Sequence, residues 1–329
     1  MNWINRWIFA ALLGSLCWCN HVAAAEPLKI MVMIQPQRYF VEQIGGNRVA
    51  VTVLVPPGGD PHTYEPKPQT MLQASQASLY IAMGIPEEQV WLPRLLAIRP
   101  NLPVIHQDEG IPKMPMESRE EIHGSHCLPP GQEQQEEPAL APGTAGKAQG
   151  RPDAGGHGHH HDSEVLDPHI WLSPKLARMQ AETIARALCK LDPGSAADYQ
   201  ERLRSFLQRI DALDQRLTRL FEPIQKRRGF LVVHPSWGYF ASDYGLQQIP
   251  LEIEGKEPTA GDLVKLIQLT TREGITVILL EPQFSQRFAD VMAHQTGVQV
   301  MEADPLALDW EHNLWEVAGQ LAERLSAKP

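Results

Sequence analysis

The sequence predicts an α/β fold: two Rossmann-like lobes of mostly parallel sheet flanked by helices, joined by one long helix. Three observations carry that prediction. Short apolar runs of strand length alternate with segments of helical spacing in two separate stretches of chain. A low-complexity segment interrupts the first stretch, and a long amphipathic segment stands between the two. Such alternation implies parallel strands covered on both faces, because each crossover returns through a helix.

The elements follow in chain order. "MNWINRW" carries Arg6, "IFAALLGSLCW" is apolar but too short to span a bilayer, and "HVAAAEP" offers an A-x-A cleavage site. Residues 1–25 are therefore expected to be a signal peptide cleaved near Ala25, sending a chain that begins at Glu26 to the periplasm. Cys17 and Cys19 follow Leu16 and Trp18, which are too large for a lipid-anchor site, so no anchor is expected. The first lobe is assigned to 26–195, with strands in "LKIMVMI", "VAVTVLVP", "SLYIAMG" and "LPVIH". From Ile111 to Val165 the chain is rich in Pro, Gly, Gln, Glu and His and reads as a mobile loop, since it buries too little apolar surface to offset its ordering entropy. Order resumes in "SPKLARMQAETIARALCKL", with Ser173 as N-cap and Pro174 at the first helical position.

The connecting helix is assigned to 196–227. In it Tyr199, Leu203, Phe206, Ile210, Leu213, Leu217, Leu220 and Phe221 recur at mostly three-and-four spacing. At 1.5 Å per residue it runs roughly 40 Å, long enough to brace both lobes. The second lobe, 228–329, reads as "GFLVVH" strand, "WGYFASDYG" helix, "QIPLEI" strand, "AGDLVKLIQLTTREG" helix, "ITVILLE" strand, "SQRFADVMAHQTG" helix, "VQVMEA" strand and a last helix in "NLWEVAGQLAERL".

Composition excludes some partners. The net charge of −10 and the scattering of Lys and Arg among acids leave no basic surface for nucleic acid. No stretch after the leader is long and apolar enough to cross a membrane, and no exposed apolar repeat is evident, so a monomer is expected. Cys127 and Cys189 can pair in an oxidising compartment, but their spacing places no bridge.

Open parallel sheets present ligands at the carboxyl ends of their strands. After "VAVTVLV" comes "PPGGDPHTYEPKP" with His62; after "GFLVV" comes His234; after "VQVMEA" comes Asp304; and His169 stands in "LDPHIWLSP" just before a helix. A proline sits beside each of the three imidazoles and fixes local backbone angles. A lone loop histidine is more often a surface residue, and Asp304 fits equally as the cap of a turn. If the four converge, however, three neutral imidazoles and one carboxylate complete a tetrahedral site suited to zinc. Manganese, iron and copper stay open, because geometry and supply also decide selectivity. Glu281 reads as structural or as orienting a histidine, and Trp171, Trp237 and Tyr64 as walls of the site. His157, His159, His160, His161 and Asp162 form a second, weaker set in "HGHHHD". That set reads either as a tethered low-affinity collector or as a solvated tract with incidental affinity. A zinc hydrolase is the rival class; the chain has no H-E-x-x-H and no carboxylate placed as general base, so no enzyme is expected.

"GGDPHTYEPKP", "DPHIWLSP", "VVHPSWGYFASDYGL", "ILLEPQFS" and "DPL", in this order, resemble the metal-binding solute-binding proteins of zinc and manganese ABC importers, cluster A-I, and within it the ZnuA-like zinc type. The resemblance covers the mature chain apart from Ile111 to Val165. It implies two lobes joined by one rigid helix with the metal between them, His62, His169 and His234 as ligands, and Asp304 at the position of a carboxylate in or near the coordination sphere. It also implies Zn²⁺ as cargo and an ABC importer membrane permease as partner, with a manganese or iron receptor of the same family as the alternative. "HGHHHD" and His234 both match the zinc type. The second-lobe cysteine pair of some zinc-type members has no counterpart here.

Overall fold

The computed structural model describes residues 26–116, 166–224, 228–252 and 259–326. The expected signal peptide, Cys17, Cys19, Cys127, most of the expected loop and its set His157, His159, His160, His161 and Asp162 lie outside these residues.

The first sheet holds β1 (Leu28–Val32), β2 (Val49–Val53), β3 (Leu79–Ala82) and β4 (Val104–His106) in the order β2-β1-β3-β4. The second holds β5 (Arg228–Val232), β6 (Leu246–Pro250), β7 (Val277–Leu280) and β8 (Gln299–Glu302) in the equivalent order β6-β5-β7-β8. Every strand pair is parallel; Ile30 of β1, for example, lies beside Val51 of β2 and Leu79 of β3. In both sheets the order reverses direction at the first strand, the kind of switch point at whose carboxyl ends open α/β sheets hold their ligands. The two-lobe α/β architecture expected from the sequence is thus present.

Helices return the chain between strands: α1 (Gln35–Gly45), α2 (Pro68–Ala74) and α3 (Glu88–Ile98) in the first lobe, then α4 (Pro174–Leu191) and the long α5 (Ala196–Phe221). The second lobe adds α6 (Gly238–Asp243), α7 (Ala260–Glu273), α8 (Gln286–Thr296) and α9 (Trp310–Ser326). The Ser173 side chain accepts from Leu176 N at 3.2 Å, the expected N-cap of α4, worth about 1 kcal/mol. On α5 the residues at three-and-four spacing, Tyr199 through Phe221, are buried except for the half-buried Leu220. They pack against α4, α1 and α9, so the long helix braces elements that flank both sheets.

The second sheet shows what that brace does. Phe230, Val232, Val277, Leu279 and Met301 on one face join a core continuous with the first lobe. Leu231, Ile278 and Leu280, alternating with them along the strands, form a separate core under α7 and α8.

Three boundaries differ from expectation. The connecting helix, expected over 196–227, ends at Phe221, and a turn follows through Ile224. The strand expected from Gln248 begins at Leu246. The polar pair Gln247 and Gln248 separates Leu246 from the apolar run that marks the strand; Gln248 is nonetheless buried, its amide bonding Trp237 N (3.0 Å) and Pro235 O (3.3 Å). Residues 111–116, expected to open the mobile loop, are held in place: Ile111 is buried, Lys113 pairs with Asp108 at 2.6 Å, and Pro115 bridges Leu166. A salt bridge and a backbone bridge hold this stretch, and composition does not reveal either.

Candidate metal centre

Both "DPH" sequences fold the same way. Asp60 Oδ1 accepts from His62 N at 2.8 Å, and Asp167 Oδ1 accepts from His169 N at 2.8 Å. In each an aspartate carboxylate caps the backbone two residues on, across a proline of fixed φ, and so aims the histidine. His62 leaves the loop after β2, His234 the carboxyl end of β5, and His169 the turn before α4.

The three histidines meet. One donor nitrogen from each lies within 4.8 Å of the others, and the ring centroids stand 5.6, 5.0 and 5.1 Å apart. Each ring also has a carboxylate of its own. Asp167 Oδ1 lies 2.7 Å from His169 Nδ1, Glu252 Oε2 lies 2.9 Å from His234 Nδ1, and Glu87 Oε1 lies 3.5 Å from His62 Nδ1. The last separation is an ion-pair contact longer than an ordinary hydrogen bond. With Nδ1 directed at a carboxylate, Nε2 is the ring nitrogen left for a ligand. Nε2 of His62 and Nε2 of His234 are buried with no hydrogen-bond partner. A buried polar nitrogen without a partner is costly unless something coordinates it.

The electrostatics differ from ring to ring. Burial, reinforced by the facing His234 and His62, holds the pKa of His169 well below the ordinary histidine value. At His62 burial opposes the charge, but Glu87, Asp60 and Glu252 outweigh it and raise the pKa. Burial raises the Asp167 carboxyl to about 7, offset in part by the bond from His169 N.

Asp304 is not among the donors that cluster within 4.8 Å. Its Oδ1 accepts from Leu306 N (2.9 Å) and Gln283 Nε2 (3.2 Å), and its carbonyl accepts from Asn313 (2.8 Å), the pattern of a turn cap. Glu281, read as structural or as orienting a histidine, accepts from the Ser236 hydroxyl, and burial raises its carboxyl well above the usual range. Trp171 is fully buried with its ring 5.2 Å from that of His169. Trp237 packs on Phe240 and Tyr64 against the main core. The ring stacked on His234 is Phe284, at 5.6 Å and 20°. Sequence reasoning missed Phe284, Glu87, Glu252 and Asp167; only Asp167 carried a local signal, the Asp-Pro-His spacing shared with Asp60. Cys189 forms no disulfide among the described residues.

Fold and site together define a two-lobe solute-binding protein of the metal-binding kind. The family described as zinc-uptake complex component A, periplasmic, matches residues 30–314, and the chain belongs to that family. It is similar to a crystal structure of ZnuA, with 39% identity and a TM-score of 0.76 over 92% of this chain and 100% of that one. It is also similar to a ZnuA deletion mutant with zinc bound, at 38% identity, a TM-score of 0.75 and the same coverage. The zinc-binding lipoprotein AdcA of Streptococcus pneumoniae (strain ATCC BAA-334 / TIGR4) is 26% identical over 90% of this chain, which spans 54% of AdcA's length.

Proposed function

We propose that this protein is a periplasmic receptor that captures Zn²⁺ between its lobes with His62, His169 and His234 and delivers it to an ABC-type membrane permease. One observation carries the reading: three imidazole nitrogens within 4.8 Å of one another, two of them buried without another partner. Neutral nitrogen donors suit a late first-row ion, and a fourth position completes a tetrahedron. Carboxylates at hydrogen-bond distance from Nδ1 orient His169 and His234 with Nε2 left for the ion. The zinc bound by the related ZnuA structure supports the choice of ion.

Asp304 contributes negative charge at the cleft, with His157, His159, His160, His161 and Asp162 acting as a tethered weak collector. The lobes are taken as 26–195 and 228–329 with 196–227 connecting them, in a monomeric receptor. Binding needs deprotonated imidazoles and so weakens as pH falls through the histidine range. A competition titration of the metal-stripped protein with Zn²⁺ and Mn²⁺ against a chelator tests the reading. One tight site preferring zinc is expected; manganese preference, or no tight site, would overturn it.

A further inference from the structure

Chain order puts His169 in the first lobe, yet the segment that carries it, Asp167 to Lys175, is bonded to the second lobe at four residues. The Tyr239 hydroxyl donates to Asp167 O at 2.9 Å and accepts from Met114 N at 3.0 Å. Trp171 Nε1 donates to Pro305 O at 2.7 Å, and Trp171 O accepts from Trp310 Nε1 at 2.7 Å. The Ser173 hydroxyl donates to Asp243, and Lys175 pairs with Asp243 at 3.0 Å. Tyr239 and Asp243 both lie on α6, the short helix that follows His234.

The fit at this junction is close. The Tyr239 ring packs with Ile111 and Ile170 of the first lobe in a small core of its own. At Gly238 an added Cβ would stand 2.8 Å from Gln248 Nε2, 3.0 Å from Asp167 Oδ2 and 3.1 Å from Met114 Cε, so no larger residue is accommodated there without movement. Asp167, gripped by Tyr239 through its carbonyl, holds His169 through its carboxylate. A short covalent and hydrogen-bonded path therefore joins the two rings. His62 is mounted differently: its loop is tied by the Asp60 cap and its ring faces Glu87, both within the first lobe.

We propose that Tyr239 and Asp243 are positioning residues that make His169 and His234 one preformed two-histidine half-site, with His62 the separately mounted ligand whose displacement starts metal release. The proposal rests on the zinc-site reading above. Separating His169 from His234 requires several buried hydrogen bonds to break at once, whereas moving His62 requires only a loop to swing from Glu87. A cation held by two imidazoles and water can then leave without the lobes coming apart along this seam.

A double-mutant cycle tests it, with Zn²⁺ release into excess chelator followed by stopped flow and melting temperature measured alongside. Tyr239→Phe keeps the ring and removes both hydroxyl bonds; Asp243→Asn is the second, independent variant. Each is expected to speed release about tenfold, the low end for outer-shell partners, and to keep that factor in a His62→Ala background where weak two-histidine binding persists. Glu87→Gln acts through His62, so it should speed release in the parent and do nothing in His62→Ala. Unchanged release in both Tyr239→Phe and Asp243→Asn, with or without a lower melting temperature, would overturn the proposal. So would an effect that vanishes once His62 is gone, or complete loss of binding by His62→Ala. Failure of the zinc-site reading looks different: His62→Ala, His169→Ala and His234→Ala would each leave the parent affinity unchanged.

Discussion

His169 and His62 are the same residue type pointed at the same centre, yet their surroundings are opposed. His169 has a side chain 4% exposed, and burial keeps its ring neutral. His62 has a side chain 23% exposed on a loop rich in Pro and Gly, and three carboxylates favour its protonation. One ligand is buried and tied to both lobes before the metal arrives, and the other sits on a more exposed loop where a proton competes better with the metal. Tight capture and exchange are assigned to different residues of one site by that division.

The largest test of the contrast is ligand deletion. His169→Ala is expected to lower zinc affinity roughly 10³-fold, the share of one ligand in a binding free energy of about 10–16 kcal/mol, and His62→Ala to lower it less. Chelator competition on both variants reads the order, and an equal loss would erase the distinction. Next come the orienting carboxylates. Asp167→Asn and Glu252→Gln should cost roughly 10–100-fold, and Glu87→Gln, whose contact is 3.5 Å, should sit at the low end or below.

Acidity acts on the two histidines in opposite senses. The folded pKa of His169 is depressed, so it contributes stability that is present above the unfolded value of about 6.5 and lost as pH falls toward the folded value. The raised Asp167 carboxyl contributes with the opposite sign over the same window, so the His169 share is read as the difference between thermal melts of the metal-free parent and His169→Gln from pH 8 to 5, a difference expected to close as pH falls. The folded pKa of His62 is raised, so its proton competes with zinc as pH falls through that value; Glu87→Gln should shift the decline of affinity to lower pH. The smallest effects lie outside the cluster. Asp304→Asn should cost less than any of the three histidine deletions, and removing Gly155 to Asp162 should leave the tight site intact in the same titration.

Both lobes were legible in the sequence because their strands are buried on two faces and read as near-continuous apolar runs between helices of clear period. The three histidines were legible for a related reason: each stands in a strand-end or pre-helix turn beside a proline. Their carboxylate partners were not. Glu87 reads as an ordinary acid at a helix start, and Glu252 falls inside a stretch expected to be strand, so each gains its role only from a fold contact. For His234 and Glu252 that contact spans a separation of 18 residues. Asp304 was singled out by its position after β8; in the structure Leu306 N and Gln283 engage one of its carboxylate oxygens, and the three-histidine cluster forms without it.

On this reading three imidazoles hold one zinc ion. X-ray absorption at the zinc edge of the protein loaded with one equivalent measures it directly. Three imidazole scatterers at about 2.0–2.1 Å, falling to two in His62→Ala, are expected. Fewer than three in the parent, or a shell dominated by carboxylate oxygen, would contradict it.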